Sequence, residues 1–429
     1  DIRGINIGFS FDGLKKLGVP GLAGIKDEAF KQGMAKRSLS LGDPTAGDGA
    51  VANWLVGNGV GPLDGMLVIT ARGAKEASDV LQDLDLAAGS GTWRPFFVES
   101  GKTRPKPVRG HEHFGYLDGV SQPAIRGRID AVFPSKKFLD ESVVAANQNQ
   151  GLPGADLHWA GEFVFGYQGQ SPEDVDLTTG PEDGGAPWMK NGSYMVFRRL
   201  EQFVPEFHAT SKAKASEAGE DPEIFEARMV GRFRSGAPLS LTATENVALG
   251  GNAMANNDFE FGSSDPVGMK CPYAAHIRKS YPRNDMIPGQ PDEEKSEATT
   301  QTHRIMRRGI PFGGEVQPAE NAAGKTQQAR GLMFVCYQTR ITDQFEFISK
   351  FWVNNPGFAI SDAGFDPVLG QATGGQRERF YTGAAANTPS GQPPKTILEK
   401  DFIRPTGGGY FFMPSIQAIR SVLTETHGA

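Results

Sequence analysis

Three short stretches carry residue types able to do chemistry. In Gly115-Tyr116-Leu117-Asp118-Gly119-Val120-Ser121-Gln122-Pro123 a carboxylate stands between glycines, ahead of a small polar turn. Glycine lets the backbone bend and approach another group closely, and Pro123 fixes the exit direction. Asp118 is thus held on a tight, non-repetitive segment, as a proton-transferring carboxylate must be. An Asp-Gly turn that only bonds its own backbone is the plain alternative. The second stretch is Cys271-Pro272-Tyr273-Ala274-Ala275-His276-Ile277-Arg278-Lys279. Two alanines before His276 leave room for a bulky planar group beside the imidazole. A neutral imidazole is a natural axial ligand for haem iron; a buried, hydrogen-bonded histidine is the alternative. The third stretch is His303-Arg304-Ile305-Met306-Arg307-Arg308-Gly309. Ile305 and Met306 interrupt the charges, so Arg304 and the Arg307-Arg308 pair face different ways. An inward arginine requires an anion, and a haem pocket offers propionates and peroxide oxygens.

Other charged clusters read as structural. His111-Glu112-His113 resembles a metal pair but has no third ligand nearby. Asp292-Glu293-Glu294 reads as a solvated acidic loop. No GxSxG elbow, Walker loop or dinucleotide fingerprint is present.

The elements that must position these residues are short and mixed. Gly4 to Ser10 alternates as a strand, and Phe11 to Leu17 and Asp27 to Met34 read as short helices, with Asp27 as N-cap. Leu67 to Thr70 and Phe96 to Val98 read as strands, and Lys75 to Leu86 as a helix. Phe163 to Tyr167 is a strand-like interruption in a loop running from 126 to 190. A new strand starts at Ser193, and helices follow around Leu200 to His208 and Pro222 to Phe233. Gly331 to Thr339 is a strand, Ile341 to Val353 an amphipathic helix, Tyr410 to Phe412 a last strand and Ile416 to Leu423 a closing helix. Strands and helices mix without strict βαβ repetition, which predicts two α+β halves, each an antiparallel sheet with helices on one face. The change in texture near 185–192 places the boundary between halves of residues 1–188 and 189–429.

Composition bounds the function. The chain has 429 residues, 38% hydrophobic and 22% charged, as in an ordinary globular protein. A net charge of −6 and the lack of a basic run argue against a nucleic-acid partner. No run of about 18 apolar residues exists, so no membrane span is expected. Cys271 and Cys336 cannot form a zinc site alone, and Cys336, in an apolar run, reads as a buried free thiol. Asn191-Gly192-Ser193 is a glycosylation sequon, a pattern that also arises by chance.

Taken together, Gly115-x-x-Asp118-Gly119, the Ala275-His276-Ile277-Arg278-Lys279 box and the Arg304-Ile305-Met306-Arg307-Arg308-Gly309 box resemble the dye-decolorising peroxidases, most closely their secreted fungal branch. The order fits as well: aspartate, then histidine, then arginine 28 residues later (304 − 276). Asn191 to Leu200, Gly331 to Tyr337 and Phe365-Asp366-Pro367 are also similar to the family. The resemblance implies two ferredoxin-like α+β domains with haem b between them, held mainly by the second. His276 is then the proximal iron ligand and Asp118 and Arg304 the distal catalytic pair. Gly119, Val120, Ser121, Gln122, Arg278, Leu332 and Phe334 would line the haem, with Leu332 and Phe334 as apolar walls. Asp366 is the expected carboxylate behind His276, with Asp362 in reserve. Fungal members carry a strand and helix upstream of the strand at Ile5 to Phe9, and that portion is expected to be missing here.

The activity implied is reduction of hydrogen peroxide coupled to one-electron oxidation of dyes, phenols and other aromatic donors. An acidic optimum is expected, because a carboxylate with a reference pKa near ~4 stays competent where histidine is protonated. Bulky donors would need a surface relay, for which Trp352 is the first choice, then Tyr337 and Tyr381. A secreted monomer or weak dimer is expected. The alternative on the same fold is a haem carrier or iron-releasing protein, which has no need of a distal Asp-Arg pair.

Overall fold

The computed structural model describes residues 3–89, 93–128, 151–371, 379–382, 395–398 and 400–424. Its centre is a seven-stranded sheet. We number the strands used below β1 (Gly4–Phe9), β2 (Gly65–Thr70), β3 (Ala124–Ile125), β4 (Leu157–His158), β5 (Ser193–Gln202), β6 (Met306–Arg307), β7 (Ile310–Phe312), β8 (Gly331–Gln338) and β9 (Ile403–Met413). The sheet order is β2-β1-β9-β5-β8-β6, with β7 also pairing β8. Every pairing in it is antiparallel. The β1–β2 pair joins β9 through one Cα pair, Phe9 opposite Phe412. The sheet therefore has an N-terminal strand pair and a C-terminal block meeting at a narrow seam. The fold is α+β, with helices against an antiparallel sheet.

The middle strands read as fully buried because both faces are covered. From β5, Tyr194 and Val196 point to one side with Tyr410, Phe412 and Cys336, and pack on Phe30, Met34, Trp54 and Ile341. Met195 and Phe197 point to the other with Phe411, Met333, Val335 and Tyr337. The alternation follows from the period of two along a strand. Covering one such aromatic or long aliphatic side chain contributes about 2 kcal/mol.

A third cluster positions the chemistry. Two helices, α1 (Val204–Ala218) and α2 (Pro222–Val230), bring Phe207, Phe225 and Met229 against Phe402 and Ile403. The same cluster takes in Phe114 and Tyr116 from the Asp118 loop, Ala274 from the His276 segment and Val368 from the Asp366 loop. Apolar burial thus ties together three segments far apart in sequence.

Several element expectations change. Phe96 to Val98 and Phe163 to Tyr167 are not strands; Phe97 packs in the cluster of Met195, and Phe165 lies edge-on to Tyr194. β5 runs on through Leu200 to Gln202, and α1 starts only at Val204. The Ile341 to Val353 stretch forms one α-turn at Phe345–Phe347 that widens into a π-helix over Ile348–Val353, with Phe345, Ile348 and Trp352 buried as its spacing requires.

Candidate active site

His276 opens α3, a five-residue helix (His276–Ser280) that follows the fully buried Ala274 and Ala275. Its Nδ1 lies 2.7 Å from Asp366 Oδ2, the contact expected of the proximal histidine. Asp366 is fully buried, and its Oδ1 accepts from the Val368 and Leu369 N–H groups, each at 2.8 Å. Burial opposes charge on His276, but the Asp366 carboxylate outweighs it and raises the imidazole pKa. Burial likewise opposes charge on Asp366, and His276 with the two backbone N–H groups overrides it, lowering that pKa. With Nδ1–H donated to Asp366, Nε2 carries the lone pair. The His276 side chain stays 32% exposed between buried neighbours, so the ring borders open space.

Arg278 does not line that space, which corrects its expected place beside a cofactor. It is 1% exposed. Nε donates to Asp285 Oδ2, Nη1 to Asp265 Oδ2 and the Cys271 carbonyl, and Nη2 to the Asp265 carbonyl and Asp285 Oδ1. Those five bonds use every donor a guanidinium has. Arg278 is instead the anchor that fixes the helix carrying His276. Lys279 adds to it, donating Nζ to the carbonyls of Asn355 and Phe358.

Asp118 sits on the tight loop that its glycines predict. Gly115 and Gly119 have φ of 100° and 79°, the left-handed region where glycine alone avoids strain. Glu112 accepts from the Phe114 and Tyr116 N–H groups and from Gln202, which closes the loop from inside. The Asp118 and Leu117 N–H groups bond the Gly110 and Arg234 carbonyls. Asp118 Oδ1 accepts from the Gly119 N–H at 2.6 Å and from Arg307 Nη1 at 2.9 Å.

The arginine beside Asp118 is therefore Arg307, not Arg304. The reason is strand register. β6 places Arg307 opposite Cys336 of β8, so Arg307 shares a face with Cys336, Phe334 and Leu332. Arg304 precedes the strand, and its side chain turns to the Tyr281 ring. Arg307 Nη2 also donates to the Ser121 carbonyl at 2.9 Å, and Gln122 bonds the Arg307 carbonyl and N–H at 3.0 and 3.2 Å. Ser121 and Gln122 thus clamp the Asp118 loop to β6, while Val120 approaches Gly236 and Gly119 stays exposed. Leu332 and Phe334 are only partly covered, as walls of an open space should be.

The aromatic relay is corrected too. Trp352 is 2% exposed, stacked on Phe358 at 5.4 Å and edge-on to His303 and Phe347; it is a core residue, not a surface one. Tyr337 lies with Met333 and Val335 on the sheet face opposite Phe334. The Tyr381 side chain falls outside the described residues.

The residues present fit haem. They supply a carboxylate-oriented imidazole, apolar walls, and two buried polar atoms with no partner, Arg304 Nη1 and the Tyr281 hydroxyl. Residues missed in the sequence were Arg307, Glu112 and Tyr281. For Arg307 a signal existed: it stands in the short extended run that leads to Gly309.

Comparison with known proteins gives the family. Residues 1–105 match the DyP dimeric alpha+beta barrel domain, and residues 228–359 the Dyp-type peroxidase C-terminal domain. The chain is 32% identical to a dye-decolorizing peroxidase of Mycena epipterygia, over 98% of this chain and 76% of the relative. It is 32% identical to dye-decolorizing peroxidase AauDyP1 of Auricularia auricula-judae, over 97% and 74%. Among solved structures, an ancestral D-type dye decolorizing peroxidase superposes with a TM-score of 0.80 at 32% identity, over 99% of this chain and 86% of the other. A mutant of the Pleurotus ostreatus enzyme gives 0.80 at 32%, over 98% and 85%. The chain belongs to the dye-decolorising peroxidase family, and it is a peroxidase that oxidises dyes with hydrogen peroxide.

Proposed function

We propose that His276 ligates haem b through Nε2, that Asp118 is the acid–base for peroxide, and that Arg307 takes the distal cationic role first expected of Arg304. When bound, the haem supplies the redox chemistry, passing two electrons to peroxide and recovering them singly from aromatic donors. The observation that carries the reading is the way Asp118 is held. Its Oδ1 is engaged by Gly119 and Arg307, which leaves Oδ2 as the working oxygen. Oδ2 takes the proton from one peroxide oxygen and delivers it to the other, which leaves as water. Arg307 offsets the negative charge that grows as the O–O bond breaks. Asp366 keeps the His276 ring oriented and its Nε2 electron-rich.

An acidic optimum follows, because a carboxylate base with a reference pKa near ~4 works at pH values where histidine would be protonated. Phenols and other small aromatic donors belong to the same reading, as does an extracellular place of action, supported by the exposed Asn191 of the sequon. No helix among the described residues is long and apolar enough to cross a membrane. The test is Asp118→Asn in the haem-loaded enzyme, followed by stopped-flow absorbance on adding peroxide. The rate constant should fall about 100- to 10,000-fold, the usual span of an acid–base group. Full retention of peroxide reactivity would sink the assignment.

A further inference from the structure

With Arg307 beside Asp118, Arg304 is left as a buried cation that no salt bridge holds. It is 6% exposed, its guanidinium carbon lies 3.2 Å from the Tyr281 ring centroid, and its Nη1 has no hydrogen-bond partner. The neighbouring arginines are provided for. Arg283 donates to the Phe259 carbonyl at 2.6 Å and to Asn257 Oδ1 at 2.7 Å, with Glu260 3.7 Å away. Arg307 has Asp118 and Ser121. Burial, only partly offset by the nearby Asp156, pushes the Arg304 pKa down to about 9.

Three further buried atoms are also unsatisfied: the hydroxyl of Tyr281, whose ring faces this guanidinium, and His158 Nε2 and Asp156 Oδ2, on residues within its electrostatic reach. His158 gives its Nδ1 to the Asp156 carbonyl at 2.7 Å, so its Nε2 faces the gap as an acceptor. Buried polar atoms are rarely left unpaired in native proteins, and several in one place mark a ligand or water site. The supporting elements say where the place is. Arg304 stands three residues before Arg307. Tyr281 directly follows the helix opened by His276. His158 is on β4, which pairs with β3, the continuation of the Asp118 loop. Each segment that builds the peroxide site therefore also sends a polar group to a second point at its edge.

We propose that this point is an anchor for a carboxylate of the cofactor, with Arg304 Nη1–H and the Tyr281 O–H as donors. The inference rests on the haem reading above. Haem b carries two carboxylates on one edge, and a guanidinium fork with a phenol beside it matches one of them. His158 Nε2 and Asp156 Oδ2 then accept from water that bridges to the same group. Arg304 and Tyr281 are positioning residues: they set how firmly and at what rotation the cofactor sits.

The test measures loss of cofactor from the loaded protein to excess apomyoglobin, for wild type, Arg304→Gln, Arg304→Lys and Tyr281→Phe. Each is loaded with either haem or haem dimethyl ester, which lacks the carboxylates. With haem, Arg304→Gln should release about 10- to 100-fold faster, the worth of a charged hydrogen bond, and Tyr281→Phe should show a smaller increase. Arg304→Lys keeps the charge and the space, and should fall between them. With the ester, all four should release at the same rate. Equal rates with haem, or the same acceleration with the ester, would overturn the anchor. A wild-type protein that takes up neither group would sink the haem reading itself.

Discussion

Two arginines near the His276 helix, Arg278 and Arg304, are both buried, and they could hardly differ more. Arg278 spends all five donors on two aspartates and two carbonyls. Arg304 has an aromatic face and an unpartnered Nη1. A saturated guanidinium belongs to the scaffold, because nothing remains for a ligand to satisfy. A buried one with an unsatisfied donor and no salt bridge points to a site, because the fold retains its desolvation cost only where something offsets it. The contrast sorts residues that look alike in the sequence, where each arginine simply follows an apolar residue or a histidine.

The comparison can be attacked first at its saturated end. Arg278→Met leaves Asp265 and Asp285 as buried carboxylates without their cation, and should cost about 3–5 kcal/mol in urea unfolding; a loss under about 1 kcal/mol would mean that the network is ornamental. A buried carboxylate held by four donors offers a pH readout. Glu320 accepts from Arg330 and from the N–H groups of Gln317, Gln327 and Gln328, and Arg330 first, then those N–H groups, lower its pKa to about 2. An acid held below its unfolded value stabilises the fold above that value, near ~4.3, and loses the contribution as the pH falls towards 2. Glu320→Gln should therefore be less stable than wild type by about 3 kcal/mol at pH 7, with the gap closing between pH 5 and pH 2 in parallel melts. A gap independent of pH would show that packing, not charge, is lost.

The open end predicts smaller effects. Asp366→Asn removes the carboxylate behind His276 without changing its volume, and should reduce the peroxide rate constant about 10- to 100-fold, with a shifted Soret band. An unchanged spectrum would put Asp366 outside the site. Smallest of all, Arg304→Met in haem-free protein should be neutral or stabilising by about 1 kcal/mol, since it deletes a buried charge that no salt bridge holds. If it destabilises as much as Arg278→Met, the two arginines are alike after all and the contrast fails.

Much of this was legible beforehand, and for local reasons. Asp118 lies on a glycine-bounded turn whose backbone demands are written in the residues themselves. The two alanines before His276 announce a tight approach. The stretch resembling the family offered Asp366 and Asp362 behind His276, and the structure chose Asp366. Where the reading failed, the deciding quantity was non-local. Arg304 and Arg307 differ by three positions, and only the register of β6 on β8, Arg307 opposite Cys336, decides which one meets Asp118. Trp352 carries helical spacing that fits either a surface or a core residue until Phe358 stacks on it. Arg278 reads as a free cation until Asp265 and Asp285 close around it.

The amino-acid sequence by itself determined the family, the α+β class, the carboxylate on its loop and the imidazole beside small neighbours, since backbone freedom, residue chemistry and order along the chain suffice for these. Tertiary structure alone decided which arginine meets Asp118, which is locked in the core and which is left without a salt bridge. Hydrogen-bond saturation is a property of what surrounds a side chain, and those surroundings come from segments far apart along the chain.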